Sequence, residues 1–308
     1  MGVTEAGDVS GGKRAVPEPD VRFRAMPGSL YVVATPLGNL RDLTLRALDV
    51  LATADVIAAE DTRTTGNLLR YYGIVAQTMS LHAHNEEARA RTIVARLAEG
   101  KSVALVSDAG TPGISDPGAR TVRAVRAAGY PVIPIPGPSA VAAAISVAGL
   151  QADAFLFAGF LPTQAKARRE RLQSLAPLPA ALVFHEAPHR IRATADDLRA
   201  AFGDARVLVV ARELTKTFET IACMPLAEAP SWIAGDPNRE RGEFVLIVDA
   251  PPPAAAGEAA LDPVALRWLV ALLEELPPAR AARVVASVTG ARRADVYARA
   301  LALKPEND

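Results

Sequence analysis

From Leu30 onward the sequence keeps repeating one unit: a short β-branched or aliphatic run, a turn of Gly, Pro or Asp, then an amphipathic helical stretch. Strands alternating with helices imply an α/β fold built on a parallel sheet. The first series of strands falls at 30–34, 56–59, 103–107 and 132–135. In the helix predicted over 86–99, Asn85 is placed to cap and Ala90, Ile93, Val94 and Leu97 share one face. A second series has strands at 182–185, 207–211 and 244–248 and a helix on which Ile191, Ala195, Leu198 and Phe202 align. The expected organisation is a mobile tail over 1–27, an N-terminal α/β domain over 28–136, a second α/β domain over 137–249, a Pro-rich linker over 250–260, and a small helical unit over 261–308. That last unit, with Gly290 between two of its helices, is compatible with helix-turn-helix.

Charge and cysteine content narrow the function. The 34 basic and 34 acidic residues cancel, so any contact with nucleic acid has to come from local patches. Two patches stand out. Arg280, Arg283, Arg292, Arg293, Arg299 and Lys304 face one acid, Asp295, and Lys166, Arg168, Arg169 and Arg171 surround Glu170. Each patch also reads as an ordinary solvated helix face. The single cysteine, Cys223, favours a reducing compartment, with the cytoplasm expected. The longest largely apolar stretch, 140–150, is too short for a membrane span of about 20 residues. Residues 1–27 resemble neither a signal nor a transit peptide.

In α/β folds ligands sit at the carboxyl ends of strands, which directs attention to the turns. TPLGNL follows the first strand, EDTRTTG the second and SDAGTPGISDPG the third. None is a GxGxxG dinucleotide fingerprint or a GxxxxGK[ST] phosphate loop, which argues against ordinary dehydrogenases and nucleotidases. HEAPH, His185–His189 in number, fits the HExxH zinc pattern by letter. Pro188 disfavours the helix that motif needs, and the preceding ALVF reads as a strand. His82 and His84 form another pair, with no third metal ligand nearby.

Taken in order, YVVATPLGNLRDLTLRAL, AAEDTRTTGNLL, LHAHNE, VSDAGTPGISDPG, PIPGPSA, FAGFLP, ARELTKTFET and GEFVLIV closely resemble the tetrapyrrole methylase superfamily. The resemblance runs over 28–249 and continues into the C-terminal helices. TPLGN and SDAGTPG replace the GxGPG-like loop and GDP block of the corrin-making relatives, a departure that favours RNA over a tetrapyrrole. FHEAPHR stands where FYESPHR is usual, so His185 occupies an aromatic position. The resemblance implies two α/β domains with S-adenosylmethionine in the cleft between them and a dimeric enzyme. It further implies 2'-O-methylation of a decoding-centre cytidine in 16S rRNA of the small ribosomal subunit, with no metal required. A corrinoid-precursor methyltransferase, a zinc hydrolase using His185, Glu186 and His189, and a non-catalytic RNA-binding protein are the alternatives.

By the same resemblance, the cofactor lies against Pro36, Leu37, Asp108, Ala109, Gly110, Ser115, Ser139, Ala140, His185, Gly242 and Glu243. Small residues admit a close backbone approach, and Ser139 opens a helix whose positive end favours a carboxylate, although PGPSA also reads as a plain helix start. For the chemistry, four polar blocks are expected to converge: Glu60, Asp61 and Arg63; His84 and Asn85; Glu186, His189 and Arg190; Arg212, Glu213 and Lys216. The arginines are assigned to phosphate and ribose positioning. Lys216 is the first choice of base, on the expectation that Arg212 and a closed cleft depress its pKa. Glu186 is the second choice, with Asp61 and His84 behind it. The same residues also read as an interdomain salt-bridge network.

Overall fold

The structure is a computed structural model that describes residues 24–251, 261 and 263–303, and absences and counts below refer to those residues. In chain order the first half comprises β1 (Leu30–Val33), α1 (Leu45–Thr53), β2 (Val56–Ala59), α2 (Thr62–Tyr71), β3 (Thr78–Ser80), α3 (Glu86–Ala98), β4 (Val103–Val106), α4 (Ala119–Ala127) and β5 (Val132–Ile135). These five strands form a parallel sheet in the order β3-β2-β4-β1-β5. Its strands are near-continuous aliphatic runs because both faces are covered. Tyr31, Val33, Ile57 and Val106 pack beneath α1 and α2, while Leu30, Val56, Val103 and Leu105 pack with Ile93 and Leu97 of α3. Buried Glu86 fastens α3 to α4, its Oε1 accepting from the backbone N–H groups of Gly118, Arg120 and Thr121 at 2.9–3.0 Å.

The second half contains α5 (Ala140–Ala148), β6 (Phe155–Phe160), α6 (Ala165–Leu175), β7 (Ala181–Glu186), α7 (Ile191–Phe202), β8 (Val207–Arg212), β9 (Thr220–Pro225), α8 (Ala229–Ala234) and β10 (Phe244–Val248). Its sheet, β6-β7-β10-β8-β9, departs from the parallel pattern of the first half. β10 runs antiparallel to both β7 and β8, and β9 returns antiparallel to β8. The 213–219 loop makes that return as a hairpin, with Glu213 and Thr215 at positive φ. α5 buries Val141, Ala144 and Ala148 against Val183, Val209, Val245 and Ile247 of this second sheet. The opposite face holds Phe184, Leu198, Leu208, Leu246 and Ile233 with α6, α7 and α8.

Three further helices, α9 (Pro263–Leu273), α10 (Pro278–Thr289) and α11 (Arg293–Leu303), close on their own small core of Leu269, Ala282, Val285, Val296 and Ala300. Gly290 ends α10 in the left-handed conformation, as a C-terminal glycine does. The expected tail lies mostly outside the described residues. Its last part is tied down, the Ala25 N–H donating to Thr53 and the Met26 N–H to the Tyr31 hydroxyl. Most of the linker, 252–260, and Lys304 also fall outside them. No described helix is long and apolar enough to cross a membrane.

Candidate active site

The carboxyl ends of β1, β4 and β5 point toward the second sheet, and their turns are stitched together. Thr35 and Gly110 exchange backbone hydrogen bonds at 2.9 Å, and the Thr111 hydroxyl donates to the Pro138 carbonyl at 3.0 Å. Between these turns and β7, β8 and β10 lies a cavity of about 390 Å³, within the ~300–1,000 Å³ typical of small-molecule sites. Of the residues expected to hold a cofactor, Leu37, Ala109, Gly110, Ser115, Ser139, Ala140, His185 and Glu243 line it. Pro36 and Asp108 instead line a smaller neighbouring cavity, and Gly242 lines neither. At φ +90, Gly242 passes so close to Glu213 that a Cβ there would lie 2.4 Å from its carboxyl carbon. Thr111, Ile114, Asp116, Phe160, Leu214 and Phe244 also line the large cavity and were missed by sequence reasoning. Only Asp116 carried a usable signal, being a carboxylate inside the SDAGTPGISDPG turn.

His185 sits on β7 with Phe157 and Phe160 packed edge-to-face at 4.9 and 5.4 Å, and its buried Nε2 has no protein partner. Burial lowers its pKa, so the ring is neutral at pH 7. The zinc reading is overturned by geometry. His185 is on a strand and His189 is in the short 3-10 turn Pro188–Arg190, so the two histidines do not share a helix face.

The four polar blocks separate on inspection. Asp61 caps α2 and grips Arg63 at 2.7 Å, and hydrogen bonds from Arg63 hold its carboxyl down at about 2, too weak a base for a hydroxyl proton. The Asp61 N–H donates to Asp108, whose own N–H points at Glu60, joining the turns after β2 and β4. Asn85 does not cap α3. Its side chain accepts from the His82 N–H at 2.8 Å and leaves His84 exposed. Glu186 is wholly buried, taking hydrogen bonds from Arg190, from the Thr194 hydroxyl at 2.6 Å and from the Ala187 N–H. Arg190 is thereby committed to Glu186 and to the Leu161 carbonyl, not to a phosphate. Arg212 is equally committed, its guanidinium donating to the carbonyls of Arg241 and Phe218 and to Thr220. Arg168 is buried against Asp197 at 2.7 Å, and Arg169 shares that carboxylate while staying largely exposed. Lys166, His189, Arg292 and Arg293 are exposed.

Lys216 reverses its expectation. Burial pulls its pKa down, but Glu213 at 2.8 Å and Glu243 at 3.1 Å outweigh that and leave it above the ordinary lysine value. An ammonium held by two carboxylates is a fixed cation at neutral pH. Lys216→Met should therefore lower single-turnover methyl transfer by less than about tenfold, since losing a general base costs 10²–10⁴. A loss of about 100-fold with cofactor affinity intact would restore Lys216 as the base.

The family model Tetrapyrrole (Corrin/Porphyrin) Methylases matches residues 29–230, and RsmI C-terminal HTH domain matches residues 257–304. Ribosomal RNA small subunit methyltransferase I of Vibrio cholerae is 50% identical over 268 residues, covering 87% of this chain and 92% of its own. The chain belongs to the ribosomal RNA small subunit methyltransferase I family. A Xylella fastidiosa relative of the same name is 51% identical over 271 residues, covering 88% and 98%. The fold extends beyond this methyltransferase I family. A uroporphyrin-III-C-methyltransferase from Thermus thermophilus superposes with a TM-score of 0.54 at 23% identity, over 72% of this chain and 94% of that one. In this methyltransferase I family member, the turns after β1, β4 and β5 contribute walls to the large cavity.

Proposed function

We propose that the protein transfers a methyl group from S-adenosylmethionine to the ribose 2'-hydroxyl of a decoding-centre cytidine in 16S rRNA, within the small ribosomal subunit in the cytoplasm. The observation that carries this reading is the cavity between the two sheets, walled by backbone turns and small residues with one unsatisfied imidazole nitrogen. The relatives' names supply the substrate class. The residues suit the cofactor. Leu37, Ile114, Val141, Leu214 and Val245 offer apolar surface for an adenine ring, and His185 Nε2 offers a polar contact. Ser139 caps the nine-residue α5, whose N-terminal backbone N–H groups favour the methionine carboxylate.

Bound there, the cofactor supplies a methyl group made electrophilic by its sulfonium. The protein aligns the hydroxyl with that methyl, excludes water and accepts a proton. Calorimetric titration with S-adenosylmethionine, followed by methyl transfer to small subunits, tests the proposal, and absence of cofactor binding would overturn it.

We assign substrate contact to the helical unit, where Arg280, Arg283, Arg292, Arg293 and Arg299 lie on or beside α10 and α11. Lys166 and Arg169 are exposed enough to add phosphate contacts. Deleting 251–308 should weaken subunit binding and flatten its salt dependence while cofactor affinity stays unchanged. Equal binding of both proteins across a salt series would refute this assignment. A homodimer fits the same reading, supported by Phe155 and Leu156 exposed on β6 at the edge of the second sheet.

A further inference from the structure

The carboxylates in the large cavity differ in what they already hold. Glu186 is bound by Arg190 and Thr194, and Glu243 is bound by Lys216. Asp116 lines the same cavity half-buried, and among the described residues no basic side chain pairs with it. It follows Ser115, a non-glycine residue held at φ 66. The charged groups acting on it are Glu60 after β2, Asp108 after β4 and Glu243 before β10, all acidic. The Ser107 side chain lies close enough to favour the ionised form of Asp116, while the Ser107 hydroxyl is 3.4 Å from the carbonyls of Ala109 and Gly110.

Ser107, whose hydroxyl touches the carbonyls of two residues of the large cavity, Ala109 and Gly110, itself lines the neighbouring cavity of about 270 Å³, whose other walls include Thr35, Thr64, Thr65, Asn67 and Asp108. Hydroxyls, an amide and a carboxylate form a donor and acceptor set suited to a ribose and the edge of a pyrimidine. A methyl transfer between two bound molecules needs a proton acceptor near where their sites meet; Asp116 lines the large cavity and lies within electrostatic reach of Asp108, which lines the smaller one.

We propose that the smaller cavity seats the target nucleotide and that Asp116 takes the proton from its ribose hydroxyl; this rests on the methyl-transfer reading above. The hydroxyl oxygen forms the new bond to the methyl carbon as the carbon–sulfur bond breaks, and that electron pair neutralises the sulfonium. The proton passes to the Asp116 carboxylate and then to water. Burial and the neighbouring negative charges push the Asp116 carboxyl up to about 6. An acceptor must be ionised, so the rate should rise with pH through that region and level off above it.

The test compares wild type, Asp116→Asn and Asp116→Glu in single-turnover methyl transfer to small subunits across pH 5–8, with cofactor affinity measured by calorimetry. Asp116→Asn should lose about 10²- to 10⁴-fold in rate and its acidic limb, with cofactor affinity retained and partial rescue by Asp116→Glu. Independently of activity, carbon-13 NMR of aspartate-labelled free protein should show a carboxyl titrating near 6 that is missing from Asp116→Asn. Thr64→Val and Asn67→Ala should raise the KM for subunits about tenfold or more, each having lost a hydrogen bond, without changing cofactor affinity. A near-normal rate or an unaltered pH profile in Asp116→Asn overturns the assignment, as does loss of cofactor affinity in that variant. Unchanged KM in both cavity variants overturns the nucleotide site. If wild type itself fails to methylate, the methyl-transfer reading falls and takes this inference with it; an active wild type beside an equally active Asp116→Asn removes this inference alone.

Discussion

Replacing Glu186 by Ala should lower the unfolding free energy by about 3–5 kcal/mol, the usual penalty for removing one partner of a buried ion pair. The Glu186 side chain is 0% exposed and Arg190 only 12%. Its oxygens satisfy the Arg190 guanidinium, the Thr194 hydroxyl on α7 and the Ala187 N–H that ends β7. Alanine would strand that guanidinium among Leu161, Ile191 and the buried end of the strand, with only the Leu161 carbonyl left as an acceptor. Glu186→Gln keeps the shape and part of the hydrogen bonding, so it should fall between wild type and alanine. Urea denaturation of the three proteins measures the series. A stable Glu186→Ala protein with methyl transfer abolished would instead return Glu186 to the role of proton acceptor.

The second large effect concerns the cofactor. Ala140→Trp, and independently Ala109→Trp, should weaken S-adenosylmethionine binding by at least about 100-fold, or some 2.7 kcal/mol. Ala140 is the first residue of α5 and Ala109 belongs to the turn after β4, so the two approach the large cavity from different walls. An indole at either place occupies volume that the ligand needs. Both residues are only partly buried, so the bulky side chain should disturb the core little and the melting transition should be retained. Calorimetry beside a thermal melt decides the matter; undiminished affinity in both variants would place the cofactor elsewhere.

What the sequence disclosed follows from the range of each signal. Four of the five strands of the first sheet and the turns after β1 and β4 are local, written in aliphatic runs and in Gly and Pro, and they place Leu37, Ala109, Gly110 and Ser139 around one space. β6 escaped because Gly159, at φ +67, interrupts it where its pairing with β7 shifts register. β9 escaped because Ile221, Ala222, Cys223 and Pro225 make a poor alternating pattern. The charged residues were recognised as a group, but their partners come from distant segments. Nothing local says that Arg168 meets Asp197, or that Arg212 is absorbed by the carbonyls of Arg241 and Phe218. The reversed pKa shift of Lys216 has the same source, because Glu243, which helps hold its charge, lies 27 residues away. Asp116 was overlooked for the same reason. Its high proton affinity comes from burial together with Glu60 and Glu243, far from it in the chain.

The turn after β1 also touches the second half directly. The Asn39 N–H donates to the Thr215 hydroxyl at 3.1 Å, and a Cβ on Gly38 would stand 2.3 Å from Lys216 Cγ. The missing side chain at Gly38 is therefore the keyhole through which the lysine stem passes to reach Glu213 and Glu243. Even one methyl group there would act as a doorstop. It would displace the lysine stem, so that an ammonium site built entirely by the second half could be disturbed from the opposite lip of the cleft with every charged residue left in place.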